Sequence, residues 1–192
     1  MKLILASGSP RRREILANYG YEFTVEVSDK EEKTDPGLSP AQTVLALARG
    51  KADDVFSRVG NGDSVVLAAD TVVSLGGSIL GKPADRDAAR EMLERLSGAV
   101  HAVYTGVCIV SAQNRSEFYQ TTMVKFYDLS PEIIENYLDS GEPFDKAGAY
   151  GIQGLGGLLV ESINGDWYNV MGLPAARVAA ALAQFGVHGK IM

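Results

Sequence analysis

Three arginines, Arg11, Arg12 and Arg13, follow directly on Ser7-Gly8-Ser9-Pro10, just after the apolar run Leu3-Ile4-Leu5-Ala6. Ser9 before Pro10 reads as a helix N-cap followed by a first-turn proline. The arginines then crowd a helix start, where partial positive charge disfavours cations by about 0.3–1 kcal/mol each. The same turn points unpaired N–H groups outward and is a ready anion site. Gly8 permits close backbone approach, and the serines add hydroxyl donors. The segment is either a phosphate grip or a solvated basic patch on a surface helix.

Other residues invite the same double reading. Asp70 is expected to end the apolar strand Val65-Val66-Leu67-Ala68-Ala69. A carboxylate at the carboxyl end of a buried strand stands where open α/β sheets hold ligands, or it caps a turn. Lys51 falls in phase with Val44, Leu47 and Ala48, either aimed into a cleft or lying on the core with its head in water. On this segment alone the second reading is preferred. Lys82, before Pro83, is a phosphate contact or an exposed cation. Glu31 and Glu32 lie in a polar loop and, with Asp70, could supply oxygen ligands to Mg²⁺. The run Asp145 to Gly157 is rich in glycine, and its Gln153 carries both a donor and an acceptor suited to a base edge. It could equally be a tight connection between strands.

The elements that must position these residues follow from pattern. Leu3 to Ala6 and Phe23 to Val27 read as strands around a helix from Pro10 to Tyr19, with Gly20 as its stop. Ser39-Pro40 opens a second helix, and Asp85 caps a third that Gly98 ends. Ser64 to Asp70 is a strand, and Thr71 to Leu75 with Ile79-Leu80 forms a hairpin about Gly76-Gly77. His101 to Val110 and Phe118 to Tyr127 read as long paired strands. Pro131 to Leu138 is a helix, Leu158 to Ile163 a strand, and Pro174 to Phe185 a closing helix. Mixed strands and helices with hairpins as well as crossovers give an α/β class with a mixed sheet.

The bulk properties narrow the functions. The 192 residues, 46% hydrophobic and 22% charged, suffice for one sizeable core. A net charge of −6 and a pI near 5.0 argue against a nucleic-acid or membrane-surface partner. No run approaches the roughly 20 apolar residues of a membrane span. Cys108 is the single cysteine, and only His101 and His188 are present. That leaves no intrachain disulfide, no zinc spacing and little material for histidine-based nucleophilic catalysis. A cytoplasmic protein is expected. The Walker A, G-x-G-x-x-G, H-E-x-x-H and G-x-S-x-G patterns are missing. Carboxylates and lysines must carry any chemistry, and His101, alternating with apolar residues, is expected to be structural.

Taken together, Leu5 to Arg12, Ala69-Asp70-Thr71-Val72-Val73, Gly81-Lys82-Pro83, Leu96-Ser97-Gly98 with His101, Asp145 to Gly154, and Gly172-Leu173-Pro174 resemble the Maf family of nucleotide pyrophosphatases. The matches run in order along the chain to about Gly186. The resemblance implies a single domain over residues 1–192, of one lobe or of two around a cleft, and a homodimer. Its fold would be an extended mixed sheet flanked by helices with a deep cleft, akin to the inosine-triphosphate pyrophosphatases. It also implies hydrolysis of a nucleoside triphosphate to monophosphate and pyrophosphate with a divalent cation, Mg²⁺ or Mn²⁺. Carried over by position, Asp70 is the general base, with Lys82 beside it in the catalytic set. Ser7, Ser9, Arg11, Arg12 and Lys51 line the phosphate path, and Glu32 with Asp70 holds the metal. Arg12, Thr71 and Gln153 bear on substrate choice, and Lys146 joins the substrate-binding set. Asp-Thr after the strand and Ile-Gln-Gly in the loop match members that prefer UTP and dTTP, which implies these substrates and with them modified pyrimidine triphosphates; the 7-methyl-GTP branch departs at both places. The resemblance leaves two alternatives: a nucleotide-binding regulator of septum formation, and an enzyme directed at ITP or XTP.

Overall fold

The computed structural model of the protein describes residues 1–30, 35 and 37–191. Its strands are β1 (Lys2–Leu5), β2 (Phe23–Val25), β3 (Ser64–Leu75), β4 (Ser78–Leu80), β5 (Val100–Val110), β6 (Arg115–Phe126) and β7 (Val160–Asn164). The helices are α1 (Pro10–Asn18), α2 (Pro40–Val59), α3 (Arg86–Leu96), α4 (Pro131–Asp139), α5 (Trp167–Met171) and α6 (Ala175–Ala183). The sheet runs β2-β1-β3-β5-β6-β7, with β4 paired to β3. β1 is parallel to both β2 and β3, while β3–β4 and β6–β7 are antiparallel. The α/β class with a mixed sheet read from the sequence is the class observed.

The chain divides into two compact units that interleave in sequence. Unit 1 comprises Met1–Asp70, Thr105–Gln120 and Gly172–Met192, and unit 2 comprises Thr71–Tyr104 and Thr121–Met171. In unit 1, Ala48, Ala52 and Val55 of α2 pack on Ile4, Val66, Ala68 and Cys108. The small alanines bring α2 close to its strands. At Gly106 an added Cβ would stand 2.4 Å from the Val44 carbonyl, so only glycine fits there. α2 opens on a capping box in which Ser39 and Gln42 satisfy one another's backbone N–H.

In unit 2, Leu93 and Leu96 of α3 and Ile134 and Leu138 of α4 close over Val73, Val124 and Phe126. Asp85 caps α3 by accepting from the Ala88 N–H at 2.8 Å. His101 is enclosed in this core, 1% exposed. It meets Phe126 and Tyr150 edge-on, and the Tyr150 hydroxyl is hydrogen-bonded to its Nε2 at 2.8 Å. Burial lowers its pKa to about 4, so the ring is neutral near pH 7.

Two expectations about elements need correction. β3 does not end at Asp70: it runs unbroken to Leu75, and Asp70 stands in mid-strand. Thr71, Val72 and Val73 after it are all β-branched, and one aspartate does not interrupt a ladder held by backbone bonds. Ala147–Ala149 and Gly154–Leu159 of the glycine-rich run form 3₁₀ turns, so the last strand starts at Val160 rather than at Leu158. α5, five residues long, was not anticipated.

Candidate functional site

The turn after β1 is built around Arg12. Its Nε donates to the Gly172 carbonyl at 2.8 Å, and its Nη1 donates to the Ala69 carbonyl at 2.9 Å and to Ser7 Oγ at 3.1 Å. Ser7 is buried, and its Oγ also accepts from the Ser9 N–H at 3.2 Å. Ser9 occupies the N-cap position of α1 with extended backbone, but its hydroxyl makes no capping bond. Arg11 is half-buried, and Arg13 is exposed with Nη2 reaching the Gly8 carbonyl. One of the three arginines thus has a structural task, joining the turn to the residue before Asp70. The "solvated patch" reading does not describe Arg12.

Asp70 is 7% exposed. Lys51, on α2, places Nζ 2.6 Å from Asp70 Oδ1, with its side chain only 16% exposed. The preferred expectation for Lys51, a head in water, is therefore corrected. The α2 face that buries Ala48, Ala52 and Val55 carries the lysine across to β3, where a carboxylate receives its charge. Breaking a buried pair by deleting one partner typically costs about 3–5 kcal/mol. Ser7, Ser9, Arg11, Arg12, Lys51 and Asp70 all belong to unit 1.

Thr71, Lys82, Lys146 and Gln153 belong to unit 2. Thr71 is half-buried, and Lys82 is exposed beside the buried Pro83. The Gly148 N–H donates to the Gly81 carbonyl at 3.0 Å, fixing the Lys82 turn against the glycine-rich segment. Gly148 has φ +69°, and a Cβ there would press on Val73 at 3.0 Å. Lys146 donates from Nζ to the Glu142 carbonyl and to Asp145 Oδ1, both at 2.6 Å. Gln153 is half-buried with extended backbone, immediately ahead of Gly154 at φ +70°.

The metal expectation divides. Glu31 and Glu32 lie outside the described residues. Among the described residues no group of three or more His, Cys, Asp or Glu side chains could enclose a metal ion. A Mg²⁺ ion needs no such cage when one or two carboxylates and substrate phosphates complete its shell, so Asp70 is chemically suited to the part.

A family model described as "Maf-like protein" matches residues 2–185. The chain belongs to the Maf family. A relative from Bacillus cereus named dTTP/UTP pyrophosphatase is 48% identical over 97% of this chain and 96% of its own length. One of the same name from Bacillus anthracis is 47% identical over the same shares.

Two features of this Maf chain escaped the sequence reading. Arg49, Asp53, Arg115 and Glu117 line an open groove of about 580 Å³ in unit 1. Arg49 pairs with Glu117 at 2.5 Å, and Arg115 bridges Asp53 and Glu117. Hydrogen bonding from Arg49 holds the Glu117 carboxyl below its usual range. Burial pushes the neighbouring Cys108 thiol up to about 12, so it stays protonated. The groups neutralise one another, and their spacing over 68 positions gave no local signal. The second feature is Glu142, whose carboxylate accepts from two backbone N–H groups of the glycine-rich segment and from the Tyr137 hydroxyl of α4. A lone glutamate before a proline gives no sign of that in sequence.

Proposed function

We propose that this chain is a nucleoside triphosphate pyrophosphatase that converts dTTP and UTP to the monophosphate and pyrophosphate. The observation that carries the proposal is the buried Asp70–Lys51 pair, tied through the Ala69 carbonyl to Arg12 and Ser7. It sets a carboxylate beside a basic, hydroxyl-bearing turn at a helix start, within a chain whose relatives bear that activity in their names.

The proposed division of labour is as follows. The N-terminal turn of α1, Ser9 and Arg11 receive phosphate oxygens, using N–H, hydroxyl and guanidinium donors. Arg12 and Ser7 hold that turn against β3. Asp70 takes the proton of a water that attacks the α-phosphorus; the bond from that phosphorus to the bridging oxygen breaks, and pyrophosphate leaves. Lys51 orients the Asp70 carboxylate, and Lys82 meets charge gathering on the leaving group. Asp70 with Glu32 would hold a divalent cation, Mg²⁺ or Mn²⁺, which when bound supplies further neutralisation of phosphate charge. Thr71, Lys146 and Gln153 serve the nucleoside end, with Gln153 reading the base edge. A homodimer in the cytoplasm completes the proposal.

The test is product analysis over a panel of canonical and modified triphosphates, with and without Mg²⁺. Monophosphate plus pyrophosphate, fastest from dTTP and UTP, is expected. Diphosphate plus phosphate would refute the chemistry. ITP or XTP far exceeding the pyrimidines would refute the substrate class. Tight binding without turnover would make the chain a nucleotide-dependent regulator.

A further inference from the structure

Glu142 sits half-buried at the start of a 3₁₀ turn, Glu142–Asp145, and its carboxylate is the meeting point of three donors. Oε1 accepts from the Tyr137 hydroxyl at 3.0 Å and from the Gly156 N–H at 3.2 Å. Oε2 accepts from the Leu155 N–H at 3.0 Å. The Tyr137 oxygen in turn accepts from the Gly151 N–H at 3.3 Å. The two residues therefore grip both sides of Gln153, at 151 and at 155–156. The fit leaves no spare room: a Cβ on Gly154 would stand 2.8 Å from Glu142 Oε2, and one on Gly156 would stand 2.6 Å from the Tyr137 hydroxyl. Lys146 closes the base of the same turn through the Glu142 carbonyl. Burial raises the Tyr137 pKa, so its phenol stays a donor at all working pH values.

We infer that Glu142, with Tyr137, is a positioning residue that fixes the loop presenting Gln153 and thereby sets selectivity among nucleobases. This rests on the reading of Gln153 as the base-facing residue. An ionised carboxylate can accept from all three donors at once, with two oxygens on one rigid plane. Glutamine offers a single acceptor oxygen and turns an amide donor toward N–H groups. Alanine leaves the three donors without that acceptor. Relaxation of the 151–156 backbone then moves the Gln153 amide relative to a bound base. Base contacts are lost without removing any group assigned to the phosphate end or to proton transfer.

The experiment compares Glu142→Ala, Glu142→Gln, Tyr137→Phe, Gln153→Ala and the double variant Glu142→Ala/Gln153→Ala in steady-state assays. The substrates are dTTP, UTP and a purine triphosphate, and each protein is first checked for a cooperative thermal transition. Expected for Glu142→Ala is a KM for dTTP and UTP raised about tenfold, with kcat changed less and pyrimidine-over-purine preference reduced. Glu142→Gln and Tyr137→Phe should fall between it and wild type, and the double variant should be no worse than Gln153→Ala. If Glu142→Ala does not fold, the glutamine and phenylalanine variants carry the same comparison. Unaltered selectivity in Gln153→Ala would overturn the reading of Gln153, and this inference with it. Altered selectivity there, with wild-type selectivity in the folded Glu142 and Tyr137 variants, would overturn the inference alone. Equal loss of kcat/KM on every triphosphate, at unchanged KM, would mark Glu142 as merely structural and also overturn it.

Discussion

At the scale of single residues the account turns on charge placed where water is scarce. Lys51 and Asp70 are each largely removed from solvent and depend on one another at 2.6 Å. Lys51→Met should destabilise the protein by about 3–5 kcal/mol in denaturant titration, since it removes the ammonium that pairs with a buried carboxylate at 2.6 Å. A loss below about 1 kcal/mol would place the pair in the class of exposed ion pairs instead. His101 supplies a pH signature. Its pKa falls from 6.5 to about 4 on folding, so between those values the unfolded chain binds a proton that the native state refuses. Its contribution is full above pH 6.5 and declines as pH drops toward 4, by at most about 1.4 kcal/mol per unit. Stability at pH 7 and pH 5 should therefore differ more in the wild type than in His101→Gln. Equal differences would refute the assignment.

At the scale of elements, much was legible and the failures have physical causes. Ser39-Pro40 and Asp85 announced α2 and α3, because caps and first-turn prolines are chosen by local backbone needs. Asp70 misled, because a strand tolerates an aspartate when its neighbours keep the ladder. Lys51 misled for another reason: its partner lies 19 positions away, and helical phase says which face a residue takes but not what waits opposite. The basic turn was legible as a cluster of cations at a helix start, whereas the bonds of Arg12 to the Ala69 and Gly172 carbonyls were not, being 57 and 160 positions distant. Glu142 was invisible for the same reason, as its donors come from a fold-back of the chain. The close approach of α2 to β5 at Gly106 gives a prediction of its own. Gly106→Ala forces Cβ against the Val44 carbonyl, so the helix must shift and carry Lys51 with it. It should cost at least about 1–3 kcal/mol and reduce kcat/KM, read by thermal unfolding and assay. Wild-type stability would show that α2 is not held there.

At the scale of the whole molecule, the two units are interleaved rather than consecutive. β3, β5 and β6 each contribute residues to both. The chain carries a convenient reporter in each: Cys108, buried in unit 1, and the single tryptophan, Trp167, in unit 2. Thiol exposure and tryptophan fluorescence should follow one transition in denaturant, and separated midpoints would contradict this. No described helix is long and apolar enough to cross a membrane. The net charge of −6 makes local cations decisive for a polyanionic substrate, so activity should fall as ionic strength screens them.

The central claim is that Asp70 performs the proton transfer of triphosphate hydrolysis. The direct measurement is the turnover of dTTP by Asp70→Asn, under saturating Mg²⁺ and with folding verified. Asparagine keeps the shape and a hydrogen-bonding oxygen for Lys51, while losing the capacity to take a proton. The account predicts a fall in kcat of about 10²–10⁴. Turnover near that of the wild type, with unchanged dependence on the metal, would contradict it.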